Sequence, residues 1–389
     1  MRAPLAHDDA GVFVSRLPTR LLTLALAALK KPLRRAPSVN RPVRRVLVAH
    51  YLLLGDTLLL APLLAKLAAC HPDAERIVLT RPAVAPLFSG NPYGFRALAY
   101  DPGDFKTFLN LLEHGPFDLA YVLGDNRYSW LACAAGARWI VGFEGDRPTW
   151  KNWMVDSLRP HPATPTAWAD MAAELVKGVA PQAFRPGDWP TPEAPGLDIP
   201  AGEYAVLHVG ASTPLKLWPA DRWRGLAKIL LERGITPVWS AGRGEAALVE
   251  EIDLEHRHPR YCGTLSLPQL WHLLAGARLL ACPDTGVAHL GKLVGVPTLA
   301  LYGPGSSFLY GKGDFWRNAP YVAIAEEPFP CRDQKRLFRR EIDWVHRCGR
   351  SPTECPTPGA CMRAISFSSV EKAVGVLLDD TRFAENDKS

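Results

Sequence analysis

Residues 279–303 read LLACPDTGVAHLGKLVGVPTLALYG, and this stretch decides the fold. The run LLAC has the apolar density of a buried strand, and it stops at Pro283. Asp284, Thr285 and Gly286 then open a helix, and VPTLALYG supplies the next strand. A strand feeding a helix at such a corner points the free N–H groups and positive dipole end of the helix toward whatever lies beyond the strand end. His289 falls one turn in, on the same face as Thr285. A single helical histidine is often a packed or capping residue. Four polar features aligned at one strand-to-helix junction favour an anion-holding corner instead.

The same alternation extends in both directions. YAVLHVG, ITPVWSAG, RLLACPD and VPTLALYG read as strands. PADRWRGLAKILLERG reads as a helix with Pro219 near its start and Gly234 at its C′ position, and SLPQLWHLLAGA opens with Ser266 and Gln269 at capping-box spacing. An earlier series begins with RRVLVAHYL and LGDTLLLAPLLAKLAACHP and continues through ERIVLT, FDLAYVLG and RWIVGFEG. Between the two series, residues 181–200 hold six prolines and read as an interdomain linker. The class expected is α/β, two Rossmann-like domains with mostly parallel sheets facing a central cleft. The divisions expected are a basic arm over residues 1–43, an N-terminal domain over 44–190 and a C-terminal domain over 191–389. The last of these includes a Cys-rich segment at 331–361.

A chain of 389 residues, 48% hydrophobic and 22% charged, suits a two-domain globular protein. Its net charge of +6 is local: residues 1–45 carry ten Lys/Arg and two Asp, which leaves the rest at about −2. Nucleic-acid binding by the folded body is therefore not expected. The arm's apolar run from Leu21 to Leu29 is far shorter than the roughly 20 residues that span a bilayer, and basic flanks argue against an export signal. It reads either as an interfacial helix drawn to anionic lipid or as a solvated leader. Cys70, Cys133, Cys262 and Cys282 are scattered in apolar segments, consistent with a reducing, cytoplasmic compartment.

In open parallel sheets, ligands bind beyond the carboxyl ends of the strands. Besides the 284–289 corner, two junctions stand out. At Leu54-Gly55-Asp56 a glycine turn aims Asp56 at the cleft, either as a plain helix cap or as a catalytic carboxylate. In HVGASTPLKLWP, small residues expose N–H groups, Ser212 and Thr213 add hydroxyls, and Lys216 offers a point charge suited to phosphate. The alternative there is a polar surface loop. A competing signal is G-x-G-x-x-A at Gly242, Gly244 and Ala247, the pattern of a dinucleotide site. No clear acidic residue ends a following strand at the required distance, so dehydrogenase chemistry is not expected.

Three blocks together, VLVAHYLLLGDTLLLAPLLAKL, VLHVGASTPLKLWPADRW and CPDTGVAHLGKLVGVPTLALYGP, resemble glycosyltransferase family 9 in order and spacing. The likeness runs over roughly residues 44–376. It implies a GT-B fold, with a glycolipid acceptor on the N-terminal side and a nucleotide-sugar donor, ADP-heptose above all, on the C-terminal side. It also implies an inverting transfer with Asp56 as general base. Lys216 and Ser212 resemble diphosphate contacts, Thr213 stands beside them, and Glu245 matches an acidic residue that faces the nucleoside. Asp284, Thr285, Gly286 and His289 resemble the donor-binding motif. The acceptor side would include His50 and Gly55. No Asp-x-Asp motif is present, so the resemblance requires no cofactor for catalysis. The positions before Leu-Gly-Asp, His50, Tyr51, Leu52 and Leu53, depart from the basic and hydroxyl residues common in the family, which leaves two further readings open. One is a protein acceptor on the same fold; the other is a donor-binding protein without turnover. Cys331, Cys348, Cys355 and Cys361 resemble a Cys-rich tail segment of some members, and four thiolates at that spacing would bind structural zinc or iron, or else pack unliganded. The Lys- and Arg-rich segment around them would also suit an anionic acceptor or the inner-membrane surface.

Overall fold

The computed structural model describes residues 16–34 and 42–379; the remainder of the expected arm and the last ten residues lie outside the described residues. Two six-stranded parallel sheets form the frame. The first contains β1 (Arg45–Ala49), β2 (Glu75–Thr80), β3 (Phe95–Ala99), β4 (Leu119–Val122), β5 (Trp139–Phe143) and β6 (Ser157–Arg159). The second contains β7 (Tyr204–His208), β8 (Thr236–Ala241), β9 (Arg260–Cys262), β10 (Leu279–Pro283), β11 (Thr298–Tyr302) and β12 (Tyr321–Ala325). Their orders are β3-β2-β1-β4-β5-β6 and β12-β11-β10-β7-β8-β9. Counted from its own first strand, the second sheet repeats the first. Each is a doubly wound Rossmann sheet whose strand order reverses beside its first strand, between β1 and β4 and between β7 and β10.

Every residue of β7, β10 and β11 is buried, because helices cover both faces and leave no solvent side for polar alternation. The outer face of the first sheet packs under the Leu17–Lys30 and Tyr128–Ala134 helices, through Ala27, Leu131 and Ile140. The outer face of the second packs under the Ala220–Glu232 and Phe367–Asp379 helices, through Trp223, Leu226 and Val374. The inner faces join one continuous apolar cluster that includes Val46, Leu64 and Trp168 from the first half and Val206, Leu280 and Leu290 from the second.

The Pro-rich stretch at 181–200 is an anchored bridge. Trp189 donates from Nε1 to the Leu87 carbonyl at 2.9 Å and packs edge-on against Phe88, with ring centroids 4.8 Å apart. Phe184 lies 4.5 Å from Trp316. A second tie runs the other way. Beyond β12, the hairpin β13 (Arg336–Leu337) and β14 (Arg340–Glu341) crosses back to the first sheet. Arg340, only 2% exposed, donates to the carbonyls of Glu144 (3.1 Å) and Gly124 (2.7 Å), to Asn126 Oδ1 (2.9 Å) and to Asp146 Oδ2 (3.3 Å). Phe338 seats 4.6 Å from Trp168. Seating both side chains puts the turn residues Phe338 and Arg339 at positive φ, 45° and 66°, as a two-residue hairpin demands.

Candidate functional site

The three chemically loaded turns leave the strands that flank the two reversal points. Residues 50–56 follow β1, residues 209–216 follow β7, and Asp284 and Thr285 follow β10. Backbone proximity joins them. A Cβ placed on Gly55 would lie 2.7 Å from His289 Cδ2 and 3.2 Å from Gly286 Cα, and one on Gly286 would lie 2.9 Å from Leu54 Cδ2. The Leu54–Leu58 helix of the first half therefore crosses the start of the Gly286–Val294 helix of the second at glycine-only distance. Asp56, next in the chain, is delivered to the 284–289 corner.

Lys216 Nζ donates to Asp284 Oδ2 at 2.9 Å and to the Asp284 carbonyl at 2.7 Å. Asp284 is buried and Lys216 half-buried, so the pair presents one cationic group on a fixed mount. Beside it, the hydroxyl of Thr285 and Nδ1 of His289 are buried without a partner among the described residues. Burial, with Lys292 and Lys216 nearby, holds the His289 pKa well below its ordinary value, so the ring is neutral. Two orphaned polar atoms at the start of a nine-residue helix, with a lysine alongside, make a place for an anionic oxygen.

Asp56 faces this corner. Burial raises its pKa to about 6; Arg347 and Lys216 pull it down and Asp284 pushes it up. A carboxylate titrating near neutrality suits proton abstraction. Burial also keeps the Tyr310 hydroxyl neutral, and that hydroxyl accepts from Arg347 Nη1 at 3.0 Å. Lys292, one turn past His289, donates to the Tyr310 carbonyl at 2.9 Å and lies 4.3 Å from the Tyr321 ring centre. Lys292 stands inside the quoted CPDTGVAHLGKLVGVPTLALYGP block and Arg347 among the C-terminal cysteines, but neither was singled out, and Tyr310 stands in no motif; the fold brings the three together.

Glu245 is placed apart from Asp56, at the mouth of the second sheet. Its Oε1 accepts from Ala211 N at 3.0 Å and its Oε2 from Gly242 N at 2.7 Å. It clips the two glycine turns together; a Cβ on Gly210 would sit 1.9 Å from Oε2. A carboxylate on the first amide of Gly242-x-Gly244 also occupies the spot a dinucleotide's pyrophosphate would need. Ser212 is exposed at the mouth, and Thr213 accepts from Leu215 N at 3.4 Å as a turn cap.

His50, expected on the acceptor side, is turned inward. Its ring is fully buried, Nδ1 accepts from Leu52 N at 3.2 Å, and burial with nearby Arg81 drives its pKa to about 3. Leu53, 56% exposed, takes the surface place. For Cys331, Cys348, Cys355 and Cys361 the arrangement favours the packed, unliganded alternative over a metal cage. Cys331 is close enough to the others for their charges to act on it, yet among the described residues no three His, Cys, Asp or Glu side chains converge to hold an ion. Arg350 donates to Cys348 Sγ at 3.7 Å, and Cys361 is buried against the Gly303 backbone, contacts that turn both thiols toward protein. A cavity of about 450 Å³ lined by Val209, Trp218, Trp223 and Leu248 opens between the Ala220–Glu232 and Ala246–Ile252 helices, away from Asp56.

Two doubly wound Rossmann sheets facing a common seam are the GT-B arrangement of glycosyltransferases. The model of glycosyltransferase family 9 (heptosyltransferase) matches residues 108–338. The chain is 30% identical to lipopolysaccharide heptosyltransferase 1 of Pseudomonas aeruginosa, over 76% of this chain and 90% of that protein. A glycosyltransferase family 9 structure from Veillonella parvula superposes with a TM-score of 0.64 at 18% identity, covering 87% of this chain and 98% of that one. The Escherichia coli heptosyltransferase WaaC with ADP-2-deoxy-2-fluoro heptose gives 0.61 at 18% identity, covering 84% and 98%. This chain belongs to glycosyltransferase family 9 and is a glycosyltransferase.

Proposed function

We propose that the protein transfers heptose from ADP-heptose to a lipopolysaccharide-core acceptor with inversion, Asp56 acting as general base. The juxtaposition of Gly55 with His289 supports this most directly, because it sets the first-half carboxylate against the second-half anion corner. In this reading the acceptor hydroxyl gives its proton to Asp56 as its oxygen bonds to the anomeric carbon. The bond from that carbon to the diphosphate breaks on the opposite face, through an oxocarbenium-like state. Lys216, the Thr285 hydroxyl, His289 and the positive end of the Gly286–Val294 helix receive the departing charge. Asp284 acts by holding Lys216. Ser212 and Thr213 flank the diphosphate, and Glu245 holds the turns beneath the nucleoside. Heptose and ADP follow from the similar proteins named above; the charge arrangement suits any nucleoside diphosphate leaving group.

The test separates binding from chemistry. Asp56→Asn should bind ADP-heptose as the unchanged protein does and lose transfer to heptose-free lipopolysaccharide by at least about 100-fold, the usual scale of a general base. Normal turnover by that variant would remove Asp56 from the mechanism. Labelled polypeptide in place of labelled lipid would favour the protein-acceptor reading.

The acceptor's membrane enters the proposal through the Leu17–Lys30 helix. No helix among the described residues is long and apolar enough to cross a bilayer. This one buries Ala27 and leaves Leu17, Leu21, Leu24 and Leu29 exposed, with Leu33 beyond its end and Arg16, Arg20 and Lys31 around them. Arg34 donates to the Met154 carbonyl at 3.0 Å, one residue from Trp153, which is 61% exposed. Leucines and a tryptophan ringed by cations fit an anionic lipid surface. The four C-terminal cysteines are read as reduced neighbours; a stoichiometric zinc or iron in purified protein would overturn that.

A further inference from the structure

We propose that Arg347 is a positioning residue for the transfer, a cation that the 331–361 strap fixes on Tyr310 at the seam where Asp56 lies. The inference rests on Asp56 being the base.

The geometry is that of a fixed mount. Arg347 pairs its backbone with Gln334 in both directions, N to O at 3.3 Å and the reverse at 3.0 Å. The next residue, Cys348, donates its N–H to the Pro304 carbonyl at 2.9 Å. That carbonyl precedes Gly305, where a Cβ would lie 2.2 Å from Asp284 Oδ2, so this end of the strap is pinned at the donor corner. Seven residues before Arg347, Arg340 is locked into the first sheet by Asp146 and Asn126. Arg347 is thus held from both lobes, and its guanidinium is set by the 3.0 Å bond to the Tyr310 hydroxyl. A guanidinium held this way is pre-organised, so little freedom is lost when substrate arrives.

The groups facing Asp56 are Arg347 on the strap, Lys216 after β7, Asp284 after β10, Tyr310 after β11 and His289 on the Gly286–Val294 helix. Lys216 is already bonded to Asp284, and Tyr310 and His289 are neutral. Arg347 is therefore the cation that opposes the burial of Asp56 most strongly. Without it, the Asp56 carboxyl would keep its proton to higher pH.

The experiment is the pH dependence of kcat/KM for transfer from ADP-heptose to heptose-free lipopolysaccharide, from pH 5 to 9, using the full chain. Arg347→Met should move the acid limb upward by about one pH unit, cutting the rate about threefold at pH 6.5 and close to tenfold at pH 5 and recovering by pH 9, since an opposite charge is worth one or more pKa units to a carboxylate. Donor affinity by titration should stay within about twofold, because the diphosphate corner is untouched. Arg347→Lys should restore most of the limb, and Tyr310→Phe, which frees the guanidinium, should shift it the same way by less. A uniform loss at every pH with an unmoved limb would make Arg347 merely structural and overturn the proposal. Should Arg347→Met fail to fold, unmoved limbs in both Arg347→Lys and Tyr310→Phe overturn it equally. Asp56→Asn, run alongside, keeps the two ideas apart: if it remains active the base reading fails, whereas if it is dead and the Arg347 limb is unmoved only this inference fails.

Discussion

Gly55 and Gly286 decide how near the two lobes come, and with it whether Asp56 can act on anything bound at the 284–289 corner. Gly55→Ala would place a methyl 2.7 Å from His289 Cδ2 and 3.2 Å from the Gly286 backbone, and His289 is too buried to swing away. We expect a stability loss of about 1–3 kcal/mol in urea unfolding, the usual cost of overpacking, with transfer falling further than stability because the seam is pried open. At this scale the placement of Asp56, Lys216 and the Asp284–His289 turn was legible, because each sits where a strand ends in a polar turn; their roles belong to the proposal. His50 was placed on the acceptor side by resemblance alone, which does not show that its ring is buried and accepts from the Leu52 N–H. The Arg347–Tyr310 bond joins residues far apart in the chain, so no local pattern announces it.

At the scale of elements, two clips hold the site's walls. Glu245 fastens the turns after β7 and β8, and the β13–β14 hairpin fastens the second half to the first. Arg340→Ala would leave the Gly124 and Glu144 carbonyls, Asn126 Oδ1 and part of the Asp146 carboxylate without a guanidinium in a buried place. Breaking such a set costs about 3–5 kcal/mol. The variant should show that loss in denaturant unfolding, together with faster proteolysis within 331–361. Stability within about 0.5 kcal/mol of the unchanged protein would mean that the hairpin does not bind the halves together. The central strands could be read from their apolar runs. β6 and β9, three residues each at sheet edges, could not, because an edge strand needs only its neighbour's hydrogen bonds and leaves no hydrophobic signature.

For the whole molecule, the doubling of one sheet order puts two ligand-binding crevices face to face, and the basic, leucine-bearing helix lies on the outer side of the first. Leu21→Asp with Leu24→Asp should release the protein from vesicles of anionic phospholipid in a flotation assay while leaving its turnover of soluble donor unchanged. Unaltered flotation would remove the helix as the contact. The two-lobed architecture was legible from alternation and from the Pro-rich stretch at 181–200. Within that stretch Trp189 and Phe184 are packed, so the linker is an anchored one.

The central claim is that the seam holds a nucleoside-diphosphate sugar by its diphosphate, on Lys216 and the start of the Gly286–Val294 helix. Calorimetric titration of ADP-heptose into the unchanged protein and into Lys216→Ala tests it most directly. The account predicts one saturable site, weakened at least about tenfold in the variant, as loss of a charge-assisted contact requires. Equal affinities in the two proteins, or no saturable binding to the unchanged one, would contradict it.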